Sequence, residues 1–168
     1  MTERVSYPAP GNWPTSVPEL EPSERLLVWA FRCWAVALQD RTGHHVCLVW
    51  NEFARQFGRR EGEAALAAFF AILRALQEHA RRRLHHHQPA CPCLGADELW
   101  LVCLVGSCQR GDASRARFLA EWMVSPDGVG DLLHGGSRLG RSMLGSNLAL
   151  PCRNHQNGAA GAAPLTIH

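Results

Sequence analysis

Residues 24–39 read ERLLVWAFRCWAVALQ, a stretch that is apolar around nearly its whole circumference when it is wound as an α-helix. Its polar side chains, Arg25, Arg32 and Gln39, recur every seventh residue and therefore share one narrow stripe. Ser23 stands directly before the stretch and is its predicted N-cap. A helix with so little polar surface belongs in the centre of a helical bundle, with only that stripe facing water.

Four further segments downstream show the helical spacing of apolar side chains. They are residues 46–57, 63–86, 97–110 and 113–124. The long segment 63–86 is rich in alanine, and Pro89 is expected to stop it because the residue before a proline avoids helical geometry. Gly111 and Asp112 are the predicted C-cap of the fourth helix and N-cap of the fifth. The pattern predicts an all-α fold, a small orthogonal bundle of about five helices around the first and the fourth.

The composition of the two ends differs from that of the middle. Residues 1–21 are rich in proline, which indicates an extended arm. Residues 125–168 hold 8 of the 15 glycines, and a helix over 131–144 is only weakly patterned there, so this part is expected to be a largely flexible tail. The predicted helical domain is therefore residues 22–124, with flexible N- and C-terminal arms.

Charge and hydropathy exclude several classes of protein. The 168 residues include 17 arginines and no lysine, with a net charge of +2, which is too balanced for a strongly nucleic-acid-binding protein. The longest nearly apolar run, residues 26–38, is interrupted by Arg32 and is too short to span a membrane. No secretion signal is visible at the start, so we expect a cytoplasmic protein with reduced thiols.

The strongest chemical motif is HHHQPACPC at residues 85–93. Imidazole and thiolate are the groups that hold structural zinc, usually four in a tetrahedron. Cys91 and Cys93 are two apart in a proline-stiffened loop, so both sulfurs can face one ion. The motif predicts a zinc site formed by His85, His87, Cys91 and Cys93, although its spacing is not that of a standard zinc finger. The structural alternative is a solvated helix end followed by loop thiols.

The remaining cysteines carry weaker interpretations. His44, His45 and Cys47 form a second donor set if the first loop folds against residues 85–93. The predicted apolar helices contain three more thiols, which are interpreted as small buried hydrophobic groups: Cys33, Cys103 and Cys108.

No catalytic constellation is visible in the sequence. The segment GGSRLGRS at residues 135–142 resembles a phosphate-binding loop but lacks the preceding strand, and carboxylates such as Glu98 have no evident partner histidine. The basic cluster at residues 74–88 fits the cationic end of a helix. We therefore expect a non-catalytic helical protein that binds a protein partner, in a regulatory or adaptor role. The alternative is a zinc-binding protein or metal sensor that uses residues 85–93; self-association stays open, and nucleic acid is not an expected partner.

Overall fold

The computed structural model describes residues 13–39 and 42–153. These residues form six α-helices and one 3-10 turn at Val17–Glu19, with no β-strand in the described ranges. The helices are α1 (Pro22–Ala37), α2 (His44–Phe57), α3 (Arg59–His79), α4 (Ala96–Arg110), α5 (Ala113–Met123) and α6 (Pro126–Gly145). The all-α prediction is confirmed, with one helix more than the sequence pattern indicated.

The helix contacts close into a ring around one core. α1 packs on α2, α2 on α3, α3 on α6 and α6 on α4, and α4 returns to α1, while α5 lies against α4 and α6. The largest fully buried apolar side chains come from different members of this ring, among them Phe31, Phe53, Phe69, Leu104 and Leu132. α4 is buried on all sides from Asp97 to Ser107, as its apolar sequence predicted.

The start of α1 differs from the prediction at the cap. Glu21 is the N-cap, and its backbone N–H donates to the Glu24 carboxylate (2.8 Å) as part of a capping box. Ser23 lies inside the first turn, where its hydroxyl donates to the Ala149 carbonyl (2.8 Å). Proline at the first helical position explains the earlier start, since its fixed φ suits a helix and its missing N–H is not needed there.

α3 ends at His79 rather than near residue 86. Ala80 pairs with Val124 in an isolated antiparallel bridge, and the Arg81 N–H donates to the Met123 carbonyl (3.1 Å). The Ser125 N–H in turn donates to the His79 carbonyl (2.8 Å). Tertiary hydrogen bonds to the end of α5 therefore replace helical ones seven residues before the predicted end.

The segment predicted to be a glycine-rich flexible tail, residues 125–168, contains α6 and differs from that expectation. α6 packs along α3 more extensively than any other pair of helices pack together. Its glycines Gly128, Gly135, Gly136 and Gly140 are buried, and a Cβ on any of them would lie within about 3 Å of an atom of α3 or α4. Glycine lowers helix propensity because it has no side chain, but the same absence allows α6 to approach its neighbours closely. The remainder of the predicted tail, residues 154–168, lies outside the described residues.

The described part of the predicted N-terminal arm packs on the domain. The Val17 N–H donates to the Pro92 carbonyl (2.8 Å), and the Leu94 N–H donates to the Thr15 carbonyl (3.2 Å). Leu20 is buried in the core. Residues 1–12 lie outside the described ranges. None of the helices in the part of the chain that the structure describes is long and apolar enough to cross a membrane.

Candidate functional site

A buried ion pair joins the middle of α1 to the first turn of α4. Arg32 and Glu98 are 1% and 0% exposed, and the guanidinium binds both carboxylate oxygens, Nε to Oε1 at 2.8 Å and Nη2 to Oε2 at 2.7 Å. The sequence pattern placed Arg32 on a stripe facing water, and that expectation is wrong. The helix is covered on this side by residues 85–95, a connection that the sequence pattern did not place in space.

The other N–H groups of Arg32 hold the backbone of that connection, which we call the Cys-Pro-Cys loop (residues 85–95). Nη1 donates to the carbonyls of Gln88 (3.3 Å) and Cys91 (2.6 Å), and Nη2 donates to the carbonyl of Cys93 (2.5 Å). Each N–H of the guanidinium therefore has an acceptor, which a buried arginine requires. One side chain of α1 thus fixes the path of the loop at three points.

Two acidic side chains of α4 hold the loop from the other side. Glu98 accepts hydrogen bonds from the backbone N–H groups of His87 and Gly95, both at 2.8 Å. Asp97 accepts one from the His85 N–H (2.8 Å) and forms a bidentate pair with Arg82, with distances of 2.8 and 2.5 Å. The loop consequently wraps around the N-terminus of α4, where carboxylates also suit the helix dipole.

The pKa of Glu98 reflects both its burial and its hydrogen bonds. Burial alone would raise its pKa, but the hydrogen bonds from Arg32, Gly95 and His87 and the positive charge of Arg32 outweigh burial. The pKa of Glu98 therefore lies below its ordinary value. The residue is a charged structural anchor rather than a proton donor.

The structure brings together two of the four predicted zinc ligands. Cys91 and Cys93 lie two residues apart on the loop, the carbonyls of both bind the Arg32 guanidinium, and Cys91 is the neighbour that raises the pKa of Cys93. His85 is exposed, and the ring of His87 lies where a Cβ on Gly95 would be 3.5 Å from its Cδ2 atom. Within the described residues, no three His, Cys, Asp or Glu side chains converge as metal ligands, and this applies equally to the second predicted set of His44, His45 and Cys47.

The pKa of the Cys93 thiol is raised by its neighbour Cys91. The hydrogen bond with Cys91 and the charge of a Cys91 thiolate raise the pKa of Cys93, with a smaller contribution from burial and an opposing one from the charge of Arg32. Elsewhere, burial raises the pKa values of Cys33 and Cys103 to about 11, and both thiols lie in the core. The interpretation of those two thiols as small hydrophobic groups is confirmed.

A groove opens next to the loop, between the C-terminal halves of α1 and α3. It encloses about 380 Å³, and its apolar and aromatic wall consists of Phe31, Trp34, Leu38, Leu76, Leu84 and His86. Trp34 stacks on Phe31 with ring centroids 5.8 Å apart, and the His86 ring meets Phe31 edge-on at 6.4 Å. Leu38 lies at the mouth of the groove and is 55% exposed. We call this feature the α1–α3 groove.

Comparison of the chain with protein-family models, with curated proteins and with solved structures found no match. The fold and the side chains described above are therefore the basis for any functional conclusion.

Sequence reasoning missed Arg32, Asp97 and Glu98 as the organisers of the loop. A signal was present, because Arg32 is the one charge inside an apolar stretch and Asp97 and Glu98 directly precede another. Charges that interrupt such stretches are seldom buried unless they are paired with each other. The α1–α3 groove had no comparable signal, since it depends on where α3 ends.

Proposed function

We propose that this chain is a non-catalytic cytoplasmic helical protein that binds a protein partner through the α1–α3 groove, in a regulatory or adaptor role. The observation that carries the proposal is the exposure of Leu38 beside the half-buried Trp34 in a groove built from aromatic side chains. Large apolar anchors that fill such pockets contribute most of the free energy of protein–protein binding. A groove of this volume accommodates one or two such anchors from a partner.

The charges around the groove favour an acidic segment as its occupant. Arg82 and Arg83 line it, and none of the described residues that line it carries a carboxylate. Arg82 is already paired with Asp97, whereas Arg83 is exposed. The expected ligand is a partner's polypeptide segment with an apolar or aromatic anchor and an Asp or Glu positioned to meet Arg83.

The test is selection of displayed random peptides against the immobilised wild-type chain, followed by affinity measurement on variants. We expect the enriched peptides to carry an apolar anchor beside acidic residues, and to bind Leu38→Glu at least about tenfold more weakly. Phe118→Glu is the matched control, because Phe118 is similarly exposed (56%) but lies on α5. Enrichment without an acidic pattern, or equal loss of binding in both variants, would contradict the groove assignment.

The zinc-binding alternative is favoured by one observation, the fixed backbone of the two cysteines, since the carbonyls of Cys91 and Cys93 both bind Arg32. A four-ligand site would also need the His85 and His87 rings to turn toward these sulfurs, while their backbone N–H groups are bound by Asp97 and Glu98. Elemental mass spectrometry of the untagged protein tests this alternative. About one zinc per chain that is lost on replacing His85 and His87 would support it over groove binding as the central function.

A further inference from the structure

The two thiols of the Cys-Pro-Cys loop are presented by a backbone that is already fixed. Arg32 binds the carbonyls of both cysteines, the Cys91 N–H donates to the Gln88 carbonyl (3.0 Å), and the Pro92 carbonyl is bound by Val17. Cys93 is exposed and Cys91 is half-buried, so an ion in solution can reach both sulfurs. The loop therefore needs little ordering to present the pair, and pre-organisation of this kind favours binding.

The donor set selects among metal ions. It consists of two sulfurs, with no third His, Cys, Asp or Glu converging on them in the described ranges. Zinc in structural sites requires four protein ligands. Thiolate ligands are soft and select Cu(I), an ion that also accepts two-sulfur coordination.

We propose that Cys91 and Cys93 form a two-thiolate site for Cu(I). The ion displaces one proton from each thiol, so two Cu–S bonds form, two S–H bonds break and two protons are released without electron transfer. The resulting complex carries one negative charge, and the cationic Arg32 guanidinium lies on the backbone of both ligands. This site is independent of the partner proposed for the α1–α3 groove, and it differs from the zinc alternative in both its metal and its ligand number.

Competition for Cu(I) with bicinchoninate tests the proposal on the reduced, untagged full chain without oxygen. Wild type is expected to withdraw about one Cu(I) per chain from the chelator. Cys91→Ser and Cys93→Ser should each abolish this withdrawal, because a single thiolate cannot complete the site. The matched control is Cys47→Ser/Cys152→Ser, which removes two other exposed thiols and should retain the site.

The role of the neighbouring histidines separates this site from a zinc site. His85→Asn/His87→Asn should bind Cu(I) as wild type does, and loss of Cu(I) in that variant would overturn the two-thiolate assignment. Unchanged Cu(I) binding in Cys91→Ser would overturn it as well. Since a serine variant can fail to fold, its circular dichroism is compared with wild type. Alkylation of the folded Cys47→Ser/Cys152→Ser variant, in which Cys93 is the remaining exposed thiol of the described residues, provides a second way to remove the site. Failure here with intact peptide binding at the groove would refute this inference alone.

Discussion

The Arg32–Glu98 ion pair stabilises the fold only when both residues are present. Arg32→Met leaves the Glu98 carboxylate buried without its cation and leaves three loop carbonyls without donors. Removing one partner of a buried pair typically costs about 3–5 kcal/mol, so we expect a loss of this size in the free energy of unfolding. The measurement is urea-induced unfolding of Arg32→Met, Glu98→Gln and the double variant. The double variant should lose less than the sum of the single losses, and strict additivity would show that the pair is not coupled.

Acid should act on the same pair. Because the pKa of Glu98 is lowered on folding, the unfolded chain binds more protons than the native one below the ordinary glutamate pKa. The stabilisation is therefore complete above that value and is lost as the pH falls through the lower, folded pKa. Unfolding followed from about pH 6 to pH 3 should show a smaller decline for Glu98→Gln than for wild type. Glu121→Gln, at an exposed carboxylate, should decline as wild type does.

The glycines of α6 differ in how closely a neighbouring helix approaches them. A Cβ on Gly128 would lie 2.5 Å from the Cβ of His79, whereas a Cβ on Gly130 would meet nothing within 4 Å. Gly128→Ala is expected to reduce the free energy of unfolding by about 1–3 kcal/mol through overpacking. Gly130→Ala should increase it by about 0.5–1 kcal/mol through helix propensity. Chemical denaturation of both variants checks the opposite signs, and a shift in the same direction would contradict the close approach of α6 to α3.

Helices with a regular spacing of apolar residues were predictable from the sequence. Helix boundaries that depend on contacts with another helix were not. The caps at Gly111 and Asp112 are where local chemistry placed them, Gly111 with a φ of 74° and Asp112 accepting a hydrogen bond from the Arg115 N–H. The sequence indicated only a weak helix over residues 131–144 where α6 spans Pro126–Gly145, because glycine lowers helix propensity and the packing that compensates for it lies on α3 and α4. The end of α3 was predicted wrongly because it is set by hydrogen bonds to residues 123–125, which are distant in the sequence.

The candidate site was predictable to the same extent. The motif at residues 85–93 located the thiol pair and its stiff loop correctly in the chain. The loop path is determined by Arg32, Asp97 and Glu98, which lie at long sequence separations from the residues they hold. The spacing within the motif could therefore indicate the two cysteines, whereas it could not show that the backbone at His85 and His87 is held by Asp97 and Glu98.

For the whole molecule, α6 closes the ring of helices. Its buried side chains Val129, Leu132, Leu139 and Met143 contribute about 1.5–3 kcal/mol each, a sum comparable with the stability of an entire domain. A chain that ends at Ser125 is therefore expected to lose cooperative thermal unfolding. Leu144→Ala, on the exposed side of α6, should change the stability by less than about 0.5 kcal/mol. A truncated chain that unfolds as cooperatively as the full one would show that α6 is dispensable.

The C-terminal end of the described chain returns to the first turn of α1. Arg153 forms a bidentate pair with the buried Glu24, at 2.5 and 2.6 Å, and Ala149 accepts the hydrogen bond from Ser23. The end of the described chain therefore lies beside the start of α1, which is the arrangement that permits the helices to be connected in another order. A circular permutant that links His168 to Met1 and opens at the Gly111 turn would keep all six helices in the same contacts. What the ring requires is the presence of each helix, and its starting point is interchangeable.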